Sequence, residues 1–418
     1  MTARAKLSGA AGSLRALDPA LLLLAAMVFV VQVGVAVMLP LLPLYALSLG
    51  ASPFVLGLLT SVFALTNAAG QLLTGVLAER LPMRRLLAAG IGSYAVANFL
   101  IAAAGTAAGL IAFRALAGIG GGVMIVGERL YLVQVADRSR LALANGVLSA
   151  AGSAGSVAGP AIGGLLASLA DLRLPFLLVG VTSLLATVGA LFLPRPPAGD
   201  TAAPAEAPPT PSDPALSAPG VPATPARSDV STLAILLLAQ IALMSAFGSF
   251  ITTYGPFAEQ RLGWSTAEVG FVFALFGLGA IAFGPWLGRQ ADRHGRRNVA
   301  VVSTLPVVIF AATYWLEAPW LLLYASAVIA GGGVTGVGAA WYAMLADATE
   351  GGRRGRRFGT VAALGNLGII VGATVSAQLW ERLGDVSVGF VVAGVSAALC
   401  GLAFLLVAPD RRAPAAAG

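Results

Sequence analysis

Long apolar runs separated by short polar stretches dominate this chain. The first six lie near 20–47, 54–78, 86–104, 107–135, 141–169 and 174–193. Six more lie near 230–254, 267–288, 298–316, 320–346, 359–380 and 386–408. A helix of about 20 residues crosses the hydrocarbon core of a bilayer, and each run comes close to or exceeds that length. In lipid the backbone must satisfy its own hydrogen bonds, which a helix does within one segment. The pattern therefore predicts an all-α integral membrane protein with twelve transmembrane helices. The first run follows Arg4, Lys6 and Arg15 as a signal peptide would, but its length and lack of a small-residue cleavage site predict a retained span.

The two sets of six are separated by residues 194–229, where 11 of 36 residues are proline and most others are Ala, Thr, Ser or Asp. Such a stretch cannot bury a core, and an extended, disordered cytoplasmic linker is expected. It divides the chain into an N-terminal six-helix bundle (1–193) and a C-terminal one (230–418). The halves also repeat. Gly75-Val-Leu-Ala-Glu79-Arg80 aligns with Gly288-Arg-Gln-Ala-Asp292-Arg293 at an offset of 213, and Gly152, Gly155 and Gly159 fall on Gly365, Gly368 and Gly372 at the same offset. Ala136-Asp137 and Ala346-Asp347 match at 210, and three extra residues in the second loop restore 213 by Gly146 and Gly359. Two parallel six-span repeats predict a substrate cavity at their interface that opens alternately to either side.

Composition narrows the function. Only 10% of the 418 residues are charged and 58% are apolar, whereas a soluble protein carries about a quarter charged residues. Little remains for a soluble domain. The net charge of +7 has an origin other than nucleic acid. If the N-terminus is inside, 20 of the 25 basic residues fall in inside segments, against Arg173, Arg261 and Arg382 outside. This asymmetry predicts cytoplasmic termini. One lysine against 24 arginines suggests a GC-rich bacterium, hence its cell (inner) membrane. One cysteine, Cys400, and one histidine, His294, leave no disulfide framework, no Cys/His metal cluster and no nucleophile–base constellation. Neither an enzyme, a metal nor a cofactor is expected. The expected partners are a small-molecule substrate, protons and the lipid bilayer, with the chain a monomer.

Three motifs carry mechanism. Gly288-Arg-Gln-Ala-Asp292-Arg293-His-Gly295-Arg296-Arg297 follows span 8, and a weaker copy with Gly75, Glu79, Arg80, Pro82, Met83, Arg84 and Arg85 follows span 2. Glycine permits close helix approach, and the carboxylate can bond guanidiniums and the positive end of a neighbouring helix. Either a latch that holds the inner gate shut or local ion pairing satisfies this pattern. Span 5 reads Gly152-Ser-Ala-Gly155-Ser-Val-Ala-Gly159-Pro160-Ala-Ile-Gly163-Gly164. Its glycines make a smooth packing face, and Pro160 removes an N–H and bends the helix, which suits a hinge or seal between the halves. Span 4 holds Arg114 and, 14 residues on, Glu128-Arg129. About 21 Å of rise places Arg114 and Glu128 on one face without contact. Glu128 is the carboxylate set well inside a span, so either it faces the cavity and exchanges a proton or it pairs with an arginine near the inner end.

On these motifs the chain resembles the major facilitator superfamily over residues 20–408, and within it the twelve-span drug:proton antiporter group. The resemblance implies the major facilitator fold. It implies a gating role for the inside-loop motif, an antiporter signature in the Gly159-Pro160 stretch of span 5, and proton coupling at Arg114. Span 11 has Ala373 where Pro160 would fall. Many members carry an acid in span 1, but this chain has Gln32 there and no acid between Asp18 and Glu79, which removes one basis for a fixed proton count or a preference for cations.

Polar and aromatic residues expected on the cavity wall are Gln32, Asn67, Gln71, Asn98, Gln240, Tyr254, Trp341, Tyr342 and Asn366. Helix–helix hydrogen bonding is the competing role for each. The function expected is secondary active transport, as proton-coupled efflux of a small, largely hydrophobic solute or drug. A proton-coupled or passive importer of a sugar or metabolite is the alternative on the same fold. A transport-dead sensor or scaffold would need a signalling domain or a lost gate motif.

Overall fold

The computed structural model describes residues 19–135, 141–169, 171–194, 230–349, 360–361 and 363–407. Twelve helices span the membrane: α1 (Pro19–Ser48), α2 (Pro53–Leu77), α3 (Met83–Ala102), α4 (Ala107–Val135), α5 (Leu141–Leu169), α6 (Leu174–Phe192), α7 (Val230–Gln260), α8 (Thr266–His294), α9 (Arg296–Trp315), α10 (Trp320–Ala348), α11 (Leu367–Leu383) and α12 (Val388–Leu405). Each matches a predicted span. The linker, apart from Pro194, lies outside the described residues, as do Asp137 and the basic termini.

The boundaries differ in two informative places. The second inside-loop motif is not a loop. Gly288, Asp292 and Arg293 lie on the last two turns of α8, and Gly295 alone joins it to α9, which begins at Arg296. That one-residue link needs the left-handed backbone that Gly295 adopts, with φ of 86°. In the first copy Pro82 cannot take that conformation, and a turn over Ala78–Leu81 does the work; Gly75 is on α2 and Arg84 on α3. Span 11 is also displaced, because the helix breaks at Asn366 before α11 begins.

Packing inside the two sets follows one plan. α1 lies on α5 and α6, α2 on α4, and α3 on α4 and α6. In the second set α7 lies on α11 and α12, α8 on α10, and α9 on α10 and α12. The two pseudo-symmetric six-helix bundles are thus laid out alike. Lipid offers apolar helices no reward for burial against one another, so close backbone approach drives association. The span 5 glycines serve this within the bundle. A Cβ on Gly155 would sit 2.7 Å from the Phe29 carbonyl oxygen of α1, and one on Gly163 would sit 2.7 Å from Val37. Gly368 and Gly372, the repeat equivalents of Gly155 and Gly159, pack α11 on the Ile241 and Ser245 carbonyls of α7.

Between the bundles, α5 lies on α8, α2 on α11 and α1 on α7. The contacts sit at the membrane face opposite the termini. A Cβ on Gly164 or Gly270 would run into the backbone of Thr266 or Pro160, and one on Gly57 would lie 2.7 Å from the Ala373 carbonyl and from Ala377. Thr266 Oγ1 donates to the Gly164 carbonyl at 3.1 Å, while the Ser61 and Thr374 hydroxyls lie 3.1 Å apart. The hinge-and-seal reading of span 5 is therefore divided: Gly155, Gly159 and Gly163 face α1, while Gly164 and the Pro160 carbonyl meet the other half.

Gly155→Val is expected to cost about 1–3 kcal/mol by overpacking the α1–α5 contact. Gly75→Val, where a Cβ would meet nothing within 4 Å among the described residues, should leave the thermal midpoint in detergent unchanged.

Candidate functional site

A cavity of about 700 Å³ lies between the bundles, on the terminus side of the seams. Its walls are unequal. The first bundle supplies Val28 and Gln32 from α1, Ile125, Glu128 and Arg129 from α4, and Leu148, Ser149, Gly152, Ser153, Ser156 and Val157 from α5. The second supplies Gly277, Ala280, Ile281 and Gly284 from α8 and Thr335 from α10. Charge and most of the hydroxyls thus come from one side, and small or apolar surface with the single hydroxyl of Thr335 from the other. The volume falls within the roughly 300–1,000 Å³ of sites that hold drug-sized molecules.

Glu128 lies on this wall, half-buried, and makes no hydrogen bond or ion pair among the described residues. Its neighbour Arg129 makes no ion pair with it: Arg129 Nη1 donates instead to Asn145 Oδ1 of α5 at 3.1 Å. Gln32 Nε2 donates to Ser156 Oγ at 2.9 Å and joins α1 to α5 inside the cavity.

Arg114 stands apart from Glu128, nearer the far face. It is 6% exposed, with Nη1 against Met38 Sδ at 2.8 Å and its guanidinium 3.9 Å from the Phe63 ring centroid. Its Nε has no partner, and no carboxylate pairs with it among the described residues. A polarisable sulfur and an aromatic face replace the missing counter-charge.

The remaining cavity candidates are scattered. Asn98 and Tyr254 are fully buried, donating to the Tyr94 and Val269 carbonyls. Trp341 is 1% exposed, and its Nε1 donates to the Leu236 carbonyl at 2.8 Å. All three are core residues in this conformation; a bonded polar atom makes burial of Tyr254 and Trp341 inexpensive, while the Asn98 Oδ1 has no partner among the described residues. Gln71 donates to Asn67, whose amide reaches the Gly118 carbonyl of α4 at 3.4 Å. Gln240 is buried against Gly365, while Tyr342 and Asn366 are exposed and off this cavity. Gln32 alone of the nine lines it. Sequence reading passed over Ser149, Ser153 and Ser156, although spacings of four and three put them on one helical face.

The gating-motif residues bond within their own bundles. Arg84 donates to the Leu193 carbonyl, and Arg296 bonds the Ala343 carbonyl and pairs with Asp347. Glu79, Arg80 and Arg293 are exposed, and the Asp292 side chain lies outside the described residues. No Cβ contact is waiting at Gly75 or Gly288 among those residues.

Twelve spans in two like bundles with a cavity between them define a membrane transporter. The Major Facilitator Superfamily profile matches residues 24–265 and again 236–418, so the chain belongs to that superfamily. Among curated relatives it is similar to the quinolone resistance protein NorA of Staphylococcus aureus strain MRSA252, 24% identical over 244 residues, which are 58% of this chain and 59% of the relative. The chain spans about half the length of the curated relatives it matches, from 42% to 59%. Among solved structures it shares the fold of the nucleoside transporter NupG, with a TM-score of 0.74 at 13% identity over 94% of this chain and all of that one. It also shares the fold of a bacterial homolog of the human lysosomal transporter Spinster in an inward-facing, occupied conformation, with a TM-score of 0.71 at 16% identity over 92% of this chain and 96% of that one.

Trp341→Phe and Tyr254→Phe are each expected to cost about 0.5–1.5 kcal/mol of stability through a lost hydrogen bond. Neither should change which solutes compete in a transport assay.

Proposed function

We propose that this chain is a proton-coupled exporter of a small, largely hydrophobic solute, working by alternating access. The observation that carries the reading is Glu128, a carboxylate without an ion-pair partner on the wall of the cavity between the bundles. An acid set in an apolar span without an ion-pair partner is costly, and such residues mark functional sites. Here it can hold a proton while the cavity is empty and give it up as solute enters. The unequal walls suit an amphipathic solute, its polar end toward Gln32, Glu128 and the α5 serines and its apolar face toward α8. Efflux is supported by the Gly159-Pro160 signature and by similarity to a quinolone resistance protein over about half its length.

In this reading the terminus side is the cytoplasm of a bacterial inner membrane, and the chain acts as a monomer. The cavity then faces inward and the far-side seams close the outward path. Gly75, Glu79 and Arg80, with Gly288, Asp292 and Arg293, form the inner latch of the opposite state. The exposure of Glu79, Arg80 and Arg293 and the lack of a Cβ contact at Gly75 and Gly288 among the described residues support that role, since a latch for the outward-open state should be released when the cavity faces inward. Arg114 is assigned to coupling as a second charged centre, reached when the far side opens.

Reconstitution in liposomes with an imposed pH gradient, read by counterflow across a solute panel, is the test. Glu128→Gln should abolish gradient-driven accumulation and retain solute-for-solute exchange. Full gradient-driven activity in that variant would remove Glu128 from the mechanism, and proton-independent transport by the unmodified protein would favour the importer reading. Asp292→Asn should raise the inward-open population, and unchanged transport and populations would end the latch assignment.

A further inference from the structure

The start of α2 is built differently from the start of its repeat equivalent, α8. A helix N-terminus leaves N–H groups unpartnered, usually met by a capping side chain. At α8 the cap is local: Ser265 and Glu268 form a reciprocal capping box within the second bundle. At α2 the N-cap residue Ser52 makes no side-chain cap, and Pro53 at the first position has no N–H to offer. The Val55 and Leu56 N–H groups reach the Ser52 carbonyl at 3.0 and 3.3 Å, which leaves Phe54. The Phe54 N–H donates to Glu381 Oε2 at 2.7 Å, and the Ser52 hydroxyl donates to the same oxygen at 3.3 Å. Glu381 lies on the last turn of α11, in the other bundle.

This bond ends a continuous seam. Along α11, Glu381, Ala377 and Thr374 follow one ridge, and along α2 they meet Phe54, Gly57 and Ser61 in antiparallel order. Local bonds close the end of α11 just beyond Glu381. Gly384, with φ of 71°, caps α11 through its N–H to the Trp380 carbonyl. Asp385 then accepts from the Ser387 hydroxyl and N–H at 2.7 and 2.9 Å, bonds that hold its carboxyl below the usual range.

We propose that Glu381 is a far-side latch: a carboxylate of one bundle that caps a helix of the other only while the far side is closed, and so stabilises the conformation whose cavity opens toward the termini. When the bundles part at this face, Phe54 loses its carboxylate acceptor and α2 is left with the uncharged Ser52 hydroxyl alone, because Val55 stands where α8 has the capping-box Glu268. The N-terminal end of a helix dipole adds to the attraction. α8 keeps its cap in either state, so the device is one-sided although the bundles repeat.

The test measures a distance in the full chain, reconstituted without solute or gradient, so Glu128 plays no part in it. Spin labels go on Ala103→Cys and Leu316→Cys, exposed repeat-equivalent caps of α3 and α9 at the far face, in a Cys400→Ala background. Glu381→Ala should raise the far-side-open population about three- to tenfold, as expected for loss of a charged cap. Glu381→Gln, which keeps an acceptor without the charge, should give a smaller shift. Glu268→Ala removes a cap of the same chemistry within one bundle and should leave the distribution at its original position. An unchanged distribution in folded Glu381→Ala or Glu381→Gln protein, or an equal shift in Glu268→Ala, overturns the assignment.

Discussion

Close approach of helix backbones is the constraint on which the rest of this structure depends. Apolar side chains gain nothing by leaving lipid for a helix–helix contact, so association requires carbonyls and Cα atoms within van der Waals reach, and glycine permits that. Gly155 and Gly163 bring α5 onto α1, and Gly368 and Gly372 bring α11 onto α7. The same chemistry closes the seams between bundles, where Gly57 meets Ala373 and Ala377 and Gly270 meets the Pro160 carbonyl. The difference is extent. Within a bundle each helix is held along much of its length, whereas the bundles touch near one membrane face. Two rigid bodies joined over a short seam can part there.

That packing decides where charge can reside. The gate-motif arginines sit at helix ends, where Arg84 and Arg296 reach carbonyls of their own bundle. Away from the ends of the spans, only the first bundle carries charge: Arg114, Glu128 and Arg129. Arg129 is committed to Asn145 and Arg114 to sulfur and a ring, which leaves Glu128 as the charged group on the cavity wall without a bonded partner among the described residues. The second bundle answers with two glycines, an alanine, an isoleucine and one threonine.

Most of the fold was legible because its signals are long: apolar runs of span length, a proline-rich break between two sets of six, and a register of 213 shared by glycines that do the same packing in both halves. The site was legible where a residue's cost announced it, as with Glu128. It was illegible where burial and function look alike. Tyr254, Trp341 and Asn98 are polar residues in spans, and each donates to a backbone carbonyl in the core. Hydropathy could not show that the second gating motif continues α8 as helix, because Asp292 and Arg293 end an apolar run whether or not the helix stops. Glu381 reads as an ordinary charge near the end of a span. The informative signal was at the other end of its bond: Ser265 is followed three residues later by Glu268, while Ser52 is followed three residues later by Val55, so one helix start carries a capping box and the other does not.

The cavity and the α5–α8 seam share residues, which bears on how an occupant could move the bundles. Val157 and Gly277 both line the cavity, and a Cβ on Gly277 would lie 2.7 Å from Val157. A few residues toward the far face, the same pair of helices is in backbone contact at Pro160 and Gly270. Whatever fills the cavity therefore presses directly on the edge of the seam, and no chain of intermediate side chains is needed to carry the effect. Gln32 sharpens the link, since its bond to Ser156 ties α1 to the turn of α5 that precedes Pro160. That turn has one hydrogen bond fewer than a regular helix, because proline has no N–H to return to the Ser156 carbonyl. The weakest point of α5 thus lies between the cavity wall and the seam, where a change at one most easily becomes a displacement at the other.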